Sequence, residues 1–361
     1  MEEIMEPLGT SIVVPSVQEL AKQNISNVPA RYIQSQQSED MVVVSEADHH
    51  VLKIPIIDMQ RLLSVESGAS ELTKLHLACK DWGFFQLVNH GVSSSLMEKV
   101  KLGIQDFFNL PISEKKKFWQ SPKHFEGFGQ VFVVSDDQKL DWCDLFYMTT
   151  LPKKERLPHL FPHLPLSFRD TMDLYSLELE NLATVILAHI EKALKTEEME
   201  ILKLFEDMRQ AMRMNYYPPC PQPEKVIGLT PHSDGVGLTI LLQVNEVEGL
   251  QIKKDGMWVP VKPLPNAFVV NIGDVLEIVT NGIYQSIEHR GTVNSEMERL
   301  SIATFHNPRR DSEVGPAASL ITEERPARFK RIGMEEYLRG IFARKLDGKS
   351  FLDTMRIEHE N

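Results

Sequence analysis

Residues 211–243, AMRMNYYPPCPQPEKVIGLTPHSDGVGLTILLQ, decide the fold. Two runs of strand-forming residues, Arg213–Tyr217 and Leu238–Gln243, flank a bend rich in proline and glycine. Similar runs follow at Leu250–Lys254, Trp258–Val261, Ala267–Ile272, Gln285–His289 and Arg299–His306. Asp255-Gly256 is a hairpin-turn signal between two of them. Short strands separated by Gly, Pro and Asn turns predict a sandwich or jelly roll.

Upstream the periodicity is mixed. Ile54–Asp58 reads as a strand start, and Trp82–Gly91 as a buried strand ended by glycine. Between them Ser70 is expected to cap a helix with Leu72, Leu75 and Cys79 on one face. Ser95 and Glu98 form a capping-box pattern ahead of the stripe Leu96, Val100, Ile104, Phe107 and Phe108. Residues 167–195 repeat apolar side chains at steps of three and four, and a last helix spans Met334–Arg344. The class is α+β, a mixed N-terminal region around a barrel-like β-core. The expected divisions are an extended arm at 1–50, polar through QSQQSED; an N-terminal region at 51–200; the β-core at 207–310; and a helical segment at 311–361.

Composition narrows the partners. Net charge is −12 with no long basic run, which disfavours nucleic acid and anionic membranes. Three cysteines, Cys79, Cys143 and Cys220, offer neither a disulfide framework nor a thiolate zinc cluster. They point to a reducing compartment. No signal peptide or bilayer-length apolar run is visible, so the cytosol is the expected location. The expected partner is a small molecule, and the chain is expected to act as a monomer.

His232 and Asp234 stand two apart, and residues on one strand at that spacing share a face. His289 follows 55 residues after Asp234. Two imidazoles and a carboxylate make the facial triad of non-haem Fe(II) oxygenases, with positions left for a chelating oxo acid and O2. Zinc would accept the same donors, and hydrogen-bonded core histidines would give the same spacing. Arg299 and Ser301 share a strand face and suit a carboxylate, the guanidinium binding it by two bonds. Asn215 and Tyr217 form a similar pair. A surface ion pair and turn chemistry are the ordinary fates of such residues.

Together FFQLVNHG (84–91), DFFNLP (106–111), RMNYYPPCPQP (213–223), GLTPHSD (228–234), GLQI (249–252), FVVNIGD (268–274), TNG (280–282), SIEHR (286–290), RLSIATF (299–305) and KLDGKSFLD (345–353) resemble the plant 2-oxoglutarate/Fe(II)-dependent dioxygenases. The resemblance runs from about residue 50 to 355 and is nearest the branch of senescence-related dioxygenases and poppy alkaloid O-demethylases. It implies a double-stranded β-helix (jelly-roll) core braced by helices. It implies Fe(II) on His232, Asp234 and His289, and 2-oxoglutarate on Arg299, Ser301, Asn215 and Tyr217. O2 is then the second co-substrate, with ascorbate supportive. The expected reaction is hydroxylation or O-demethylation of a specialised plant metabolite, an alkaloid or phenolic. Desaturation, ring closure, or a binding or condensing role on the same scaffold are the alternatives. Leu145, Tyr147, Phe305 and Asn307 are candidate substrate-pocket residues. His90, His159, His163 and Asp274 are read as structural.

Overall fold

The computed structural model describes residues 8–23, 25–34, 52–121, 124–196 and 199–357. Its centre is a pair of facing sheets. The larger is built from β1 (Ile56–Asp58), β2 (Phe84–Val88), β3 (Gly127–Gly129), β4 (Asp144–Leu151), β5 (Arg209–Tyr217), β7 (Leu238–Gln243), β10 (Phe268–Ile272) and β12 (Arg299–Asn307). Its eight strands lie in the order β1-β2-β10-β7-β12-β5-β4-β3. The smaller is built from β6 (Leu229–His232), β8 (Leu250–Lys254), β9 (Met257–Pro260) and β11 (His289–Gly291), in the order β6-β11-β8-β9. This is the expected α+β jelly roll. Asp255 and Gly256 both take positive φ, +50° and +80°, and turn β8 into β9.

Helices brace the larger sheet. The helix Leu166–Leu194 buries Phe168, Met172, Tyr175, Leu179, Leu182, Ile186 and Ile190, the stripe its periodicity predicts. It packs on the helices Gly68–Leu77 and Ser94–Asn109. The last long helix is Met334–Phe342.

Three local expectations fail. Ser70 lies inside its helix, which starts at Gly68 after Ser67. The buried Glu71 carboxylate accepts the backbone N–H of Asp58 at 2.9 Å and so ties this helix to β1. The Ser95/Glu98 box does not form, because the chain enters that helix at Ser93 and Glu98 pairs with Lys101 instead. The strand expected over 285–289 begins only at His289. Ser286 N–H is taken by the Glu277 carboxylate at 2.7 Å, so it is lost to the ladder.

The arm also departs from expectation where it is described. Ser16 Oγ and the N–H groups of Val17 and Gln18 all donate to the buried Asp144 carboxylate on β4. Val14, Val17 and Tyr32 join Trp142 in a small core. The polar stretch beyond Gln34 lies outside the described residues.

The C-terminal segment crosses the smaller sheet. Gly348 bridges β6 in parallel at His232. Its N–H donates to Pro231 O and its carbonyl accepts Ser233 N–H, each at 3.1 Å. Lys349 Nζ pins the segment to Glu277 at 2.7 Å.

Candidate active site

β6 and β11 pair antiparallel, with His232 directly opposite His289. β6 ends at His232, so Asp234 lies beyond it, where the chain leaves the smaller sheet for β7. The side chains therefore converge because the backbone turns, and not through the strand alternation expected from their spacing.

Asp234 Oδ1 lies 3.5 Å from His232 Nε2 and 3.7 Å from His289 Nε2. All three residues are buried. His232 Nδ1 meets Thr230 O at 2.7 Å and His289 Nδ1 meets Ile287 O at 3.2 Å. Each contact fixes a tautomer with the Nε2 lone pair facing the shared centre. His232 Nε2 is buried with no hydrogen-bond partner. An orphaned buried nitrogen aimed at a carboxylate and a second imidazole fits a divalent metal. Burial pushes His289 down to about 4, and neighbouring His232 adds to this while the Asp234 carboxylate opposes it. Burial opposes ionisation of Asp234, but His289, His232 and the Asn271 amide outweigh it and hold the carboxyl well below the usual range.

Support extends outward. Thr230 N–H and Oγ1 donate to the half-buried Asp141 at 3.1 and 2.6 Å, anchoring β6 just before His232. Asp234 Oδ2 accepts Thr239 Oγ1 at 2.7 Å and Asn271 Nδ2 at 2.8 Å.

The second group of candidates lies on the facing sheet. β12 and β5 pair with Arg299 opposite Tyr217 and Ser301 opposite Asn215. Asn215 Nδ2 donates to Ser301 Oγ at 3.3 Å. Arg299 is buried, its guanidinium 5.0 Å from the Tyr217 ring centre and its Nε without a partner. These four residues line one small cavity with Asp234 and His289. A buried guanidinium with unused donors fits a carboxylate. Gly249 makes room for it, since a Cβ there would sit 2.7 Å from Arg299 Cδ.

A second cavity adjoins His232 and Asp234 on the other side. Tyr147, Phe305 and Asn307 line it, while Leu145 is buried on β4 opposite Asn215 and is not part of its wall. Asn307 Oδ1 already accepts Gly237 N–H at 3.1 Å. Sequence reasoning misses Ile341, Phe342 and Leu346 from the C-terminal segment, and Arg213. Arg213 is buried, lines both cavities, leaves Nε unpartnered and has its guanidinium 5.6 Å from the Phe305 ring centre. A signal for it exists: Arg213 is two before Asn215 on one strand. A cleft of about 640 Å3 between helices Ser94–Asn109 and Leu166–Leu194 lies away from the triad. It holds no cluster of ionisable groups suited to this chemistry.

The residues set aside behave as structural. His90 Nε2 meets Asn266 O at 3.1 Å. His159 and His163 lie in the loop and short turn ahead of the long helix. Asp274 opens the helix Asp274–Val279 and accepts Ser286 Oγ at 2.5 Å.

Comparison with known proteins settles the family. The profile of the 2OG-Fe(II) oxygenase superfamily matches residues 208–308, and that of the non-haem dioxygenase in morphine synthesis N-terminal region matches 54–164. Protein SRG1 of Arabidopsis thaliana is 63% identical, over 96% of this chain and 98% of its own length. The chain belongs to the 2OG-Fe(II) oxygenase superfamily. This oxygenase is also 56% identical to the oxoglutarate-dependent flavonoid 7-O-demethylase 1 of Ocimum basilicum, covering 98% and 93% of the two chains. The crystal structure of JOX2 in complex with 2OG, Fe and JA superposes with a TM-score of 0.86 at 35% identity, covering 98% and 100%. The oxygenase is accordingly an Fe(II)- and 2-oxoglutarate-dependent oxidoreductase, a dioxygenase.

Proposed function

We propose that this dioxygenase hydroxylates or O-demethylates a small specialised metabolite, a methoxylated phenolic or alkaloid, with His232, Asp234 and His289 holding Fe(II). Arg299, Ser301, Asn215 and Tyr217 hold 2-oxoglutarate. The observation that carries this reading is the orphaned His232 Nε2 between two cavities, one ending on the unpaired Arg299. When bound, Fe(II) with 2-oxoglutarate and O2 supplies the power to oxidise an unactivated C–H bond, with release of succinate and CO2.

The chain's own residues do the rest. Arg299 and Ser301 fix the far carboxylate and so set the co-substrate's angle. Tyr147, Phe305 and Phe342 line the second cavity with apolar aromatic surface that would hold an aromatic substrate and exclude water. A methyl ether held there with its methyl toward the triad loses its methyl as formaldehyde once that carbon is hydroxylated. The flavonoid demethylase relative supports this outcome.

Net charge of −12 speaks against a nucleic-acid partner. No helix among the described residues is long and apolar enough to cross a membrane. Three free, buried cysteines support a cytosolic setting. The test is incubation with Fe(II), 2-oxoglutarate, ascorbate and separate panels of methoxylated flavones and methoxylated alkaloids. The expected result is formaldehyde and succinate in equal amounts from one panel. Product formation without 2-oxoglutarate would overturn the assignment in favour of a condensing or binding role.

A further inference from the structure

We infer that Thr239 and Asn271 act together as positioning residues that keep Asp234 a one-oxygen ligand and thereby hold open the coordination position O2 needs. This rests on the metal assignment above and goes beyond it. A carboxylate can bind a metal through one oxygen or through both. Asp234 has its two oxygens in different surroundings. Oδ1 faces both imidazole Nε2 atoms, at 3.5 and 3.7 Å. Oδ2 faces away and accepts Thr239 Oγ1 at 2.7 Å and Asn271 Nδ2 at 2.8 Å.

The clamp is built by strand register. β7 and β10 are antiparallel neighbours, and Asn271 stands directly opposite Thr239. Paired residues project from the same face, so hydroxyl and amide reach one atom side by side. Both are buried, which removes water as a competing donor. Asp234's backbone is held as well, because its carbonyl accepts Asp274 N–H at 2.8 Å. Neither the main chain nor the carboxylate is free to rotate Oδ2 toward the centre.

The consequence follows from counting. A facial triad leaves three positions, two for chelating 2-oxoglutarate and one for O2. A carboxylate that swung to bind through both oxygens would fill the last of these. Without the clamp, the metal and 2-oxoglutarate would still bind, and the step that admits O2 would fail. Outer-shell partners of metal ligands typically contribute about 10–100-fold in affinity or activity. Here the loss falls on O2-dependent turnover rather than on metal affinity.

The test compares Thr239→Val, the double variant Thr239→Val/Asn271→Leu and Thr239→Ser, which keeps the hydroxyl. Apoprotein is titrated anaerobically with Fe(II) and then 2-oxoglutarate, following the metal-to-ligand charge-transfer band. Co(II)-loaded protein gives a second readout, because visible bands intensify when coordination number falls. The valine and double variants are expected to bind Fe(II) and 2-oxoglutarate within a few-fold of the parent. Their succinate formation should fall about 10–100-fold, and their Co(II) bands should stay weak when 2-oxoglutarate and substrate are added. Thr239→Ser should behave as the parent. Should the double variant unfold, Thr239→Val alone decides. Parent-like succinate formation in the valine variant, or a loss confined to Fe(II) affinity, would overturn the clamp. Failure of the parent to bind Fe(II) or to show the band would instead sink the metal assignment itself.

Discussion

The two cavities that meet at the triad are made in different ways. The Arg299 side is built from one face of two long paired strands, and its four polar residues fall into two opposite pairs. The Phe342 side gathers rings from distant parts of the chain. Phe342 stacks on Phe125 at 3.8 Å and on Phe132 at 5.4 Å, while Tyr147 stacks on Phe305 at 6.1 Å. Strand register fixes hydrogen-bonding groups in place, whereas stacked rings from separate segments can be exchanged for other apolar shapes. One cavity is thus polar and set by strand pairing, while the other is lined by rings from several segments.

The strongest way to break this comparison is to attack what both cavities share. Replacing His232, Asp234 or His289 by Ala should abolish turnover of every substrate, read as succinate formation. Substantial activity in any one of them would mean the two cavities do not converge on a metal.

Next, the strand-built cavity should respond alone to Arg299→Lys. Lysine keeps charge but loses the planar fork, at a cost on the order of 2 kcal/mol, or about 30-fold in the 2-oxoglutarate requirement. Ser301→Ala should cost about 1.5 kcal/mol through one charge-assisted hydrogen bond. Titrating 2-oxoglutarate against each variant at saturating iron checks both. An unchanged 2-oxoglutarate requirement in Arg299→Lys would leave Arg299 a purely structural residue.

Much of the strand-built side is legible in the sequence. Arg299, Ser301, Asn215 and Tyr217 sit on alternating runs, and alternation says which residues share a face. The triad is legible too, although for a partly mistaken reason, since Asp234 follows the end of β6. The aromatic side is only half visible. Tyr147 and Phe305 lie on strands, but Phe342 and Leu346 reach the cavity only because Gly348 docks on β6, a contact that no local pattern announces. The clamp on Asp234 is hidden similarly, because the pairing of Thr239 with Asn271 spans a connection through the other sheet. The strand expected over 285–289 is shortened where the buried Glu277 carboxylate claims the Ser286 N–H.

A third prediction probes the back of β12. His306 is fully buried there, and burial pushes it down to about 4. The folded chain therefore refuses a proton that the unfolded chain accepts near 6.5. Its contribution to stability is complete above that pH and is lost progressively toward pH 4, by about 3 kcal/mol. Urea denaturation of the apoprotein at pH 7 and pH 5 should show the loss, and His306→Gln should reduce it to the part that the similarly buried His289 contributes. A pH-independent midpoint would disprove this.

The smallest effect belongs to the aromatic cavity. Phe342→Leu removes a ring that an aromatic substrate would pack against, a contact worth about 0.5–1.5 kcal/mol, so the KM for the organic substrate should shift about 2- to 10-fold. The 2-oxoglutarate requirement should not move. A joint shift of both would show that the cavities are not independent.

The docking of Gly348 beside His232 also orders events in time. Ribosomes make a chain from its N-terminus, and the last residues emerge when the rest has already begun to fold. All three triad residues are therefore synthesised before the segment that walls them in, held by Lys349 on Glu277. A nascent or prematurely ended chain carries the metal-binding side chains without their enclosure. A chain clipped near residue 340 would lose Ile341, Phe342 and Leu346 from the wall beside the triad.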